Sequence, residues 1–386
     1  MSSHFGTIIA IVIFLLIFLF IVLPFALDRA GIHIFPGTIP APGGIIMSTD
    51  QGRTWKNAAI AEQANQVFPA RIFDIAAHPR DSDILFLGTS SGLWKSVNGG
   101  GSWVRVHDAK GILNIPTTVS RIVPSDQNPQ LMYLAVFQNL RGRVLRSQDG
   151  GISFEEVFAT AGQNLGVWDI ALIPADPGHA FIATQEGSVY ETQNAGETWR
   201  IMGRLGKPVQ HITVNPFDPR NVYAVLQDGS IVRTADGGQN WSILPSPVPA
   251  QHTTQVKQDP VSGENPFNPL NLFKTTSLGP YTLAPVPGNF NELYFATPSG
   301  LFRSADSGAH WEAVNTLVPP KSVPLTFVQI PQDNPGQILA AASNHVYEST
   351  DNGATWHVQE IPTTLPVKQL LIQPKKDTRM FIILGQ

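Results

Sequence analysis

An eight-residue pattern, Ser/Thr-x-Asp/Asn-x-Gly-x-x-Trp/Phe, occurs seven times between residues 48 and 356 and constrains this chain more than any other feature. The copies begin at 48, 96, 147, 192, 234, 304 and 349, so every spacing lies between 42 and 51 residues except one of 70. Self-similarity at such a period marks supersecondary units that stack on one another. Each position has a physical role. Ser or Thr ends an apolar strand. Asp50, Asn98, Asp149, Asn194, Asp236, Asp306 and Asp351 accept bonds from the amides of a turn. The glycine two residues later suits a positive φ. The closing aromatic opens a returning strand and buries about 150–250 Å². The pattern is therefore a structural hairpin turn stapled into a core. A carboxylate site for metal or catalysis fits less well, because Asn replaces Asp twice and a turn needs only a local acceptor.

Two more strands precede most copies, as in FDIAAHPRDSDILFLGTSSGLWKS (73–96) and HITVNPFDPRNVYAVLQDGSIVRT (211–234). A strand runs into a proline, a polar turn follows, and a second strand leads through a glycine turn into a third. With the strand after the aromatic, this makes four antiparallel strands in about 45 residues, one blade of a propeller. The ends of the chain complete each other. The first copy has only third and fourth strands, GGIIMS (43–48) and TWKN (54–57), while 367–386 supply a first and second. The expected fold is all-β: a seven-bladed β-propeller of four-stranded antiparallel blades over 43–386, closed by a composite blade from both termini. Closure also removes exposed sheet edges. Residues 245–280 form an inserted loop that accounts for the spacing of 70.

The pattern resembles the Asp-box, or BNR repeat, of the sialidase and sortilin-like superfamily, and the resemblance covers about residues 43–386. In layout the chain is most similar to seven-bladed photosystem assembly and stability factor-like proteins. The resemblance implies a propeller that works outside the cytoplasm, and it specifies function weakly. A sialidase would need three arginines around a substrate carboxylate, a tyrosine nucleophile and an acidic partner. No such arginine triad can be named here. Tyr133, Tyr223 and Tyr294 share one second-strand position, and Tyr190 and Tyr347 share one third-strand position, as packing residues do. Only Tyr281 is irregular.

The amino terminus stands apart. Residues 7–27, TIIAIVIFLLIFLFIVLPFAL, carry no charge, and at about 1.5 Å per residue they span a hydrocarbon core of about 30 Å. This is longer than a secretory h-region, so 1–27 read as an uncleaved transmembrane anchor and 28–42 as a tether. The flanks give almost no orientation bias. The expected protein is single-pass, with its propeller on the periplasmic, lumenal or cell-surface side.

Composition narrows the chemistry. A net charge of −4 with no basic block argues against nucleic-acid binding. The absence of cysteine excludes disulfides and thiolate metal sites or nucleophiles. The ten histidines show no metal-ligand spacing, and there is no phosphate loop or nucleophile elbow. No catalytic residue, metal or cofactor is assigned. Aligned first strands give a polar column of Asp74, Arg121, Asp169, His211, Thr282, Thr326 and Gln369, alternating with an apolar one. Two readings follow. Asp74, Arg121, Asp169 and His211 edge a binding surface at the channel mouth, joined by Arg141 and Arg143 from a longer turn. Alternatively, Arg121 neutralises the two aspartates and the ring satisfies itself. The expected function is a membrane-anchored, non-catalytic scaffold for a protein partner at or near the membrane, in the assembly or stabilisation of a membrane protein complex. The alternative is a glycan-binding protein or sialidase-like glycoside hydrolase. That alternative requires Asp74 and Asp169 at a catalytic separation with no arginine between them.

Overall fold

Stretches buried on both faces read as continuous apolar runs, and the second strands of this protein are of that kind. MYLAVFQ, Met132–Gln138, is buried at every position, as are Leu85–Thr89 and Val222–Leu226. Each is the second strand of a four-stranded antiparallel sheet. The computed structural model describes residues 44–58, 60–61, 66–67, 70–247, 281–315, 324–331, 334–372 and 379–385. The expected membrane anchor 1–27, the expected tether 28–42 and most of the insertion, 248–280, lie outside these residues. Among the described residues no helix is long and apolar enough to cross a membrane.

The described residues form a seven-bladed propeller. Blades 1 to 6 open with the inner strands Ile72–Ala77, Thr118–Pro124, Val167–Ile173, Val209–Val214, Thr282–Val286 and Leu325–Gln329. In each, four strands pair in chain order from inner to outer. Blade 7 is composite, in the order Val367–Ile372, Met380–Leu384, Ile45–Ser48, Lys56–Asn57. Its closing seam pairs Ile45 with Ile383 and Ser48 with Met380. Strand direction fixes two faces. First and third strands start on the entry face, where the chain enters at Gly44 beside Leu384, whose amide donates to the Gly44 carbonyl at 2.7 Å. The seven repeat turns lie on the opposite face.

Each repeat turn is organised by its first residue. The Ser48 hydroxyl donates to Asp50 Oδ1 at 2.7 Å and accepts the Gly52 amide at 2.8 Å, while Asp50 Oδ1 accepts the Thr54 amide at 2.8 Å. The hydroxyl-to-glycine bond recurs in all seven turns, at 2.8 or 2.9 Å. The glycines sit at φ from 82° to 94°. At Gly238 a Cβ would also fall 2.6 Å from the Met202 carbonyl oxygen, so only glycine fits without displacement. The aromatics of the turns join blades. Trp103, Trp199, Trp241 and Trp311 donate their indole N–H to carbonyls of the preceding blade, at Ala58, Val157, Met202 and Pro245.

The turn carboxylates give the fold an acid limb. Donors around Asp50, Asp236, Asp306 and Asp351 hold each at about 2, and at Asp149 the bonds from Ser153 outweigh the opposing effect of burial to the same value. A folded pKa below the unfolded value near 3.8 stabilises the fold above that value, and the contribution is lost as pH falls towards 2. The melting temperature is therefore expected to fall steeply between about pH 4 and pH 2. Changing these five aspartates to Asn, the residue already present at 98 and 194, flattens that limb in a pH series of thermal melts. A limb of unchanged depth would assign it to other carboxylates.

One local expectation is corrected. The connection before Arg141 is not a longer turn: Gln138 pairs with Arg141 across the two-residue turn Asn139–Leu140, both at positive φ, and the strands themselves are longer. A short hairpin, Ile60–Ala61 with Gln66–Val67, follows the composite blade.

Candidate functional site

The inner strands carry a feature the sequence did not disclose. In six of the seven, pairing with the second strand skips one residue: Phe73, Ser120, Trp168, Gln210, Thr326 or Lys368. The next residue is Asp74, Arg121, Asp169, His211, Phe327 or Gln369. A bulge re-aims the side chains beside it, and here it sets the polar column. The expected sixth member is corrected. Phe327 pairs with Ala341 as Asp74 pairs with Gly88, so Thr326 is the bulged residue instead.

The column is wired from blade to blade. Gln369 Nε2 donates to Asp74 Oδ1 at 2.9 Å. Asp74 Oδ2 accepts the Ile122 amide of the next blade at 2.7 Å, and Arg121 Nη1 lies 3.6 Å from Asp74 Oδ1. Arg121 Nε lies 2.9 Å from Asp169 Oδ1, and Asp169 Oδ2 accepts the Ile212 amide at 3.0 Å. His211 Nδ1 is 2.7 Å from Asp169 Oδ2, and Nε2 is 3.1 Å from the Leu283 carbonyl oxygen. Both neighbours are acceptors, so the ring donates to both only when it carries both protons. Thr326 extends the series by donating to the Val367 carbonyl at 2.7 Å. Asp74, Arg121, Asp169 and His211 are thus brought together, in a belt that joins six of the seven blade interfaces.

The two carboxylates are buried, and their environments push them apart. Burial raises Asp74, with Arg121 and the Ile122 amide only partly offsetting it. Burial acts on Asp169 too, but Arg121 and His211 together outweigh it and lower Asp169. Opposed shifts of this kind occur in acid/base pairs, yet here an arginine lies between the carboxylates. What reaches solvent is basic in type: the Arg121 side chain is 35% exposed and that of His211 27%.

Arg141 and Arg143 lie on the entry face, on the hairpin of blade 2. Arg141 is exposed, while Arg143 is half-buried and paired with Glu156 on the adjacent strand. No hydrogen bond or ion pair among the described residues links them to the belt. Asp50, Asn98, Asp149, Asn194, Asp236, Asp306 and Asp351 sit in the turns of the opposite face. Among the described residues no group of three or more His, Asp or Glu gathers as metal ligands.

No family model matches the sequence. Part of the chain is similar to xyloglucanases. It is 26% identical over 192 residues to xyloglucanase Xgh74A of Acetivibrio thermocellus, covering 44% of this chain and 22% of that protein. It is 29% identical over 182 residues to a xyloglucanase of Hypocrea jecorina, covering 45% and 18%. The matched part is therefore about a fifth of those proteins. Among solved structures, the GH74 xyloglucanase of Xanthomonas campestris aligns at a TM-score of 0.61 and 14% identity, covering 82% of this chain and 51% of that one. YCF48 bound to D1 peptide aligns at 0.56 and 16%, covering 82% and 93%. YCF48 from Cyanidioschyzon merolae aligns at 0.57 and 14%, covering 81% and 95%. At these identities the likeness is one of fold, and the fold that this chain shares with YCF48 and the GH74 xyloglucanase is the β-propeller.

Proposed function

We propose that this protein is a membrane-anchored, extracytoplasmic, non-catalytic scaffold whose entry face holds a protein partner at or near the membrane. One observation carries the reading: the belt buries its carboxylates, holds them against Arg121 and neighbouring amides, and leaves the Arg121 side chain partly exposed. Glycoside hydrolysis needs two carboxyl groups facing a common substrate bond, one protonating and one attacking or activating water. A partly exposed arginine instead suits the carbonyls and carboxylates of a polypeptide. The apolar run of residues 7–27 acts as the anchor, and tethering raises the local concentration of the scaffold around membrane partners. The structural neighbour YCF48 holds a D1 peptide, which supports a protein partner for this fold.

The test is site-specific photocrosslinking of the full-length protein in its native membranes, followed by mass spectrometry. A crosslinker at exposed Arg141 is expected to trap one membrane-associated protein that a crosslinker at exposed Phe217, on the opposite face, does not. Equal capture from both faces, or none, overturns the scaffold reading. The partial sequence match to xyloglucanases supports a second reading, a glycan-binding or glycan-cleaving propeller. Purified full-length protein that travels alone and shortens xyloglucan would establish it.

A further inference from the structure

The repeat-turn face carries a groove that the proposed scaffold site does not use. It has a volume of about 380 Å³ and runs between the outer strand of blade 1, Val104–Arg105, and the repeat turn of blade 2 at Gly151–Ile152. Of the eight large hydrophobic side chains exposed among the described residues, three line it: Val97 at 69%, Ile152 at 65% and Val104 at 39%. Such clustering distinguishes a contact site from scattered surface apolar residues, which are ordinary. Its lining also holds Lys95, Arg105 and His107 and no acidic side chain, on a chain whose net charge is −4. Neither Lys95 nor Arg105 has a carboxylate partner among the described residues.

The backbone adds a third element. Val104 pairs with Lys95 and Arg105 with Trp94, and the Val106 amide donates to the Leu93 carbonyl at 2.8 Å. Amides alternate in direction along an antiparallel strand, so the N–H and C=O of Arg105, a residue of the groove lining, point away from Trp94 at the open edge of the sheet. The Ala109 amide, donating to the Ile152 carbonyl at 2.9 Å, closes one end. We propose that this groove binds an extended acidic-apolar peptide, which adds as a fifth strand to blade 1. Its backbone pairs with Arg105, its apolar side chains cover Val97, Val104 and Ile152, and its carboxylates meet Lys95, Arg105 and His107. Strand addition of this kind takes affinity from the main chain and specificity from the alternate side chains.

The experiment uses full-length protein in detergent and a fluorescein-labelled decapeptide alternating leucine and glutamate, read by fluorescence anisotropy. Saturable binding is expected, weakened severalfold by high salt. The pair Val97→Ser and Ile152→Ser, both at exposed positions, is expected to raise Kd about tenfold. Backbone N-methylation of the peptide abolishes binding if the strand edge is used. Binding of a lysine-for-glutamate peptide as tightly, indifference to the serine pair, or indifference to N-methylation overturns the proposal. So does a dimer of the free protein, seen in sedimentation, that the serine pair dissolves, since the groove would then take a second copy.

Discussion

Trp103→Ala is expected to lower the free energy of unfolding by about 3–5 kcal/mol, the range for deleting a large buried aromatic. Trp103 is fully buried, in a cluster that mixes the two ends of the chain with blade 1: Ile45 and Met47, Phe381 and Ile383, and Leu87. Its indole N–H donates to the Ala58 carbonyl at 2.7 Å, just beyond the outer strand of the composite blade. The side chain therefore fills the core between the closing blade and its neighbour and also ties their backbones. Trp103→Phe separates these roles. It keeps much of the volume but leaves the Ala58 carbonyl without its donor, at a cost of about 1–3 kcal/mol. Denaturant unfolding of both variants checks the values, and limited proteolysis should cut the closing blade first. A Trp103→Ala cost no larger than that of Trp311→Ala, at a half-buried position, would show that stability is not concentrated at the closing interface.

Arg121→Ala is expected to cost about 3 kcal/mol, the low end for breaking a buried ion pair, because the arginine side chain is partly exposed. The loss arises at Asp74 and Asp169, which stay buried without their shared cation. A belt that is chiefly electrostatic makes a second expectation. Replacing the trio together, Arg121→Met with Asp74→Asn and Asp169→Asn, restores most of the stability, since neutral groups of similar shape need no counter-ion. A triple variant weaker than Arg121→Ala would mean that the ion pairs themselves hold the blades. Urea titrations of the single and triple variants decide between these outcomes.

The repeat turns were legible because their chemistry is local: a hydroxyl, an acceptor, a positive-φ glycine and an aromatic within eight residues fix one geometry wherever they occur. The composite blade was legible because its missing strands could be counted at both ends. The polar column was legible from the proline-to-aromatic interval in most blades, and it failed at Thr326, where Leu339 replaces the aromatic that sets the register elsewhere. The bulges were not legible. A skipped residue depends on how two strands pair, and Phe73, Ser120, Trp168, Gln210, Thr326 and Lys368 share no side-chain chemistry. The wiring of Asp74 and Asp169 to the amides of Ile122 and Ile212 was hidden for the same reason, since those partners are 48 and 43 residues away. The groove beside blade 1 rests on solvent exposure of Val97 and Ile152, which a turn pattern that leaves both positions free does not specify.

The entry of the chain at Gly44 has a mechanical consequence. Tension transmitted through residues preceding Gly44, directed away from the entry face, runs along the axis of Ile45–Ser48. That strand is held between Met380–Leu384 on one side and Lys56–Asn57 on the other. Its cross-strand hydrogen bonds lie perpendicular to such a load and share it in parallel, instead of breaking one at a time as they would if the strand were peeled sideways. The seam that closes the ring is thus oriented to resist tugging by whatever lies upstream.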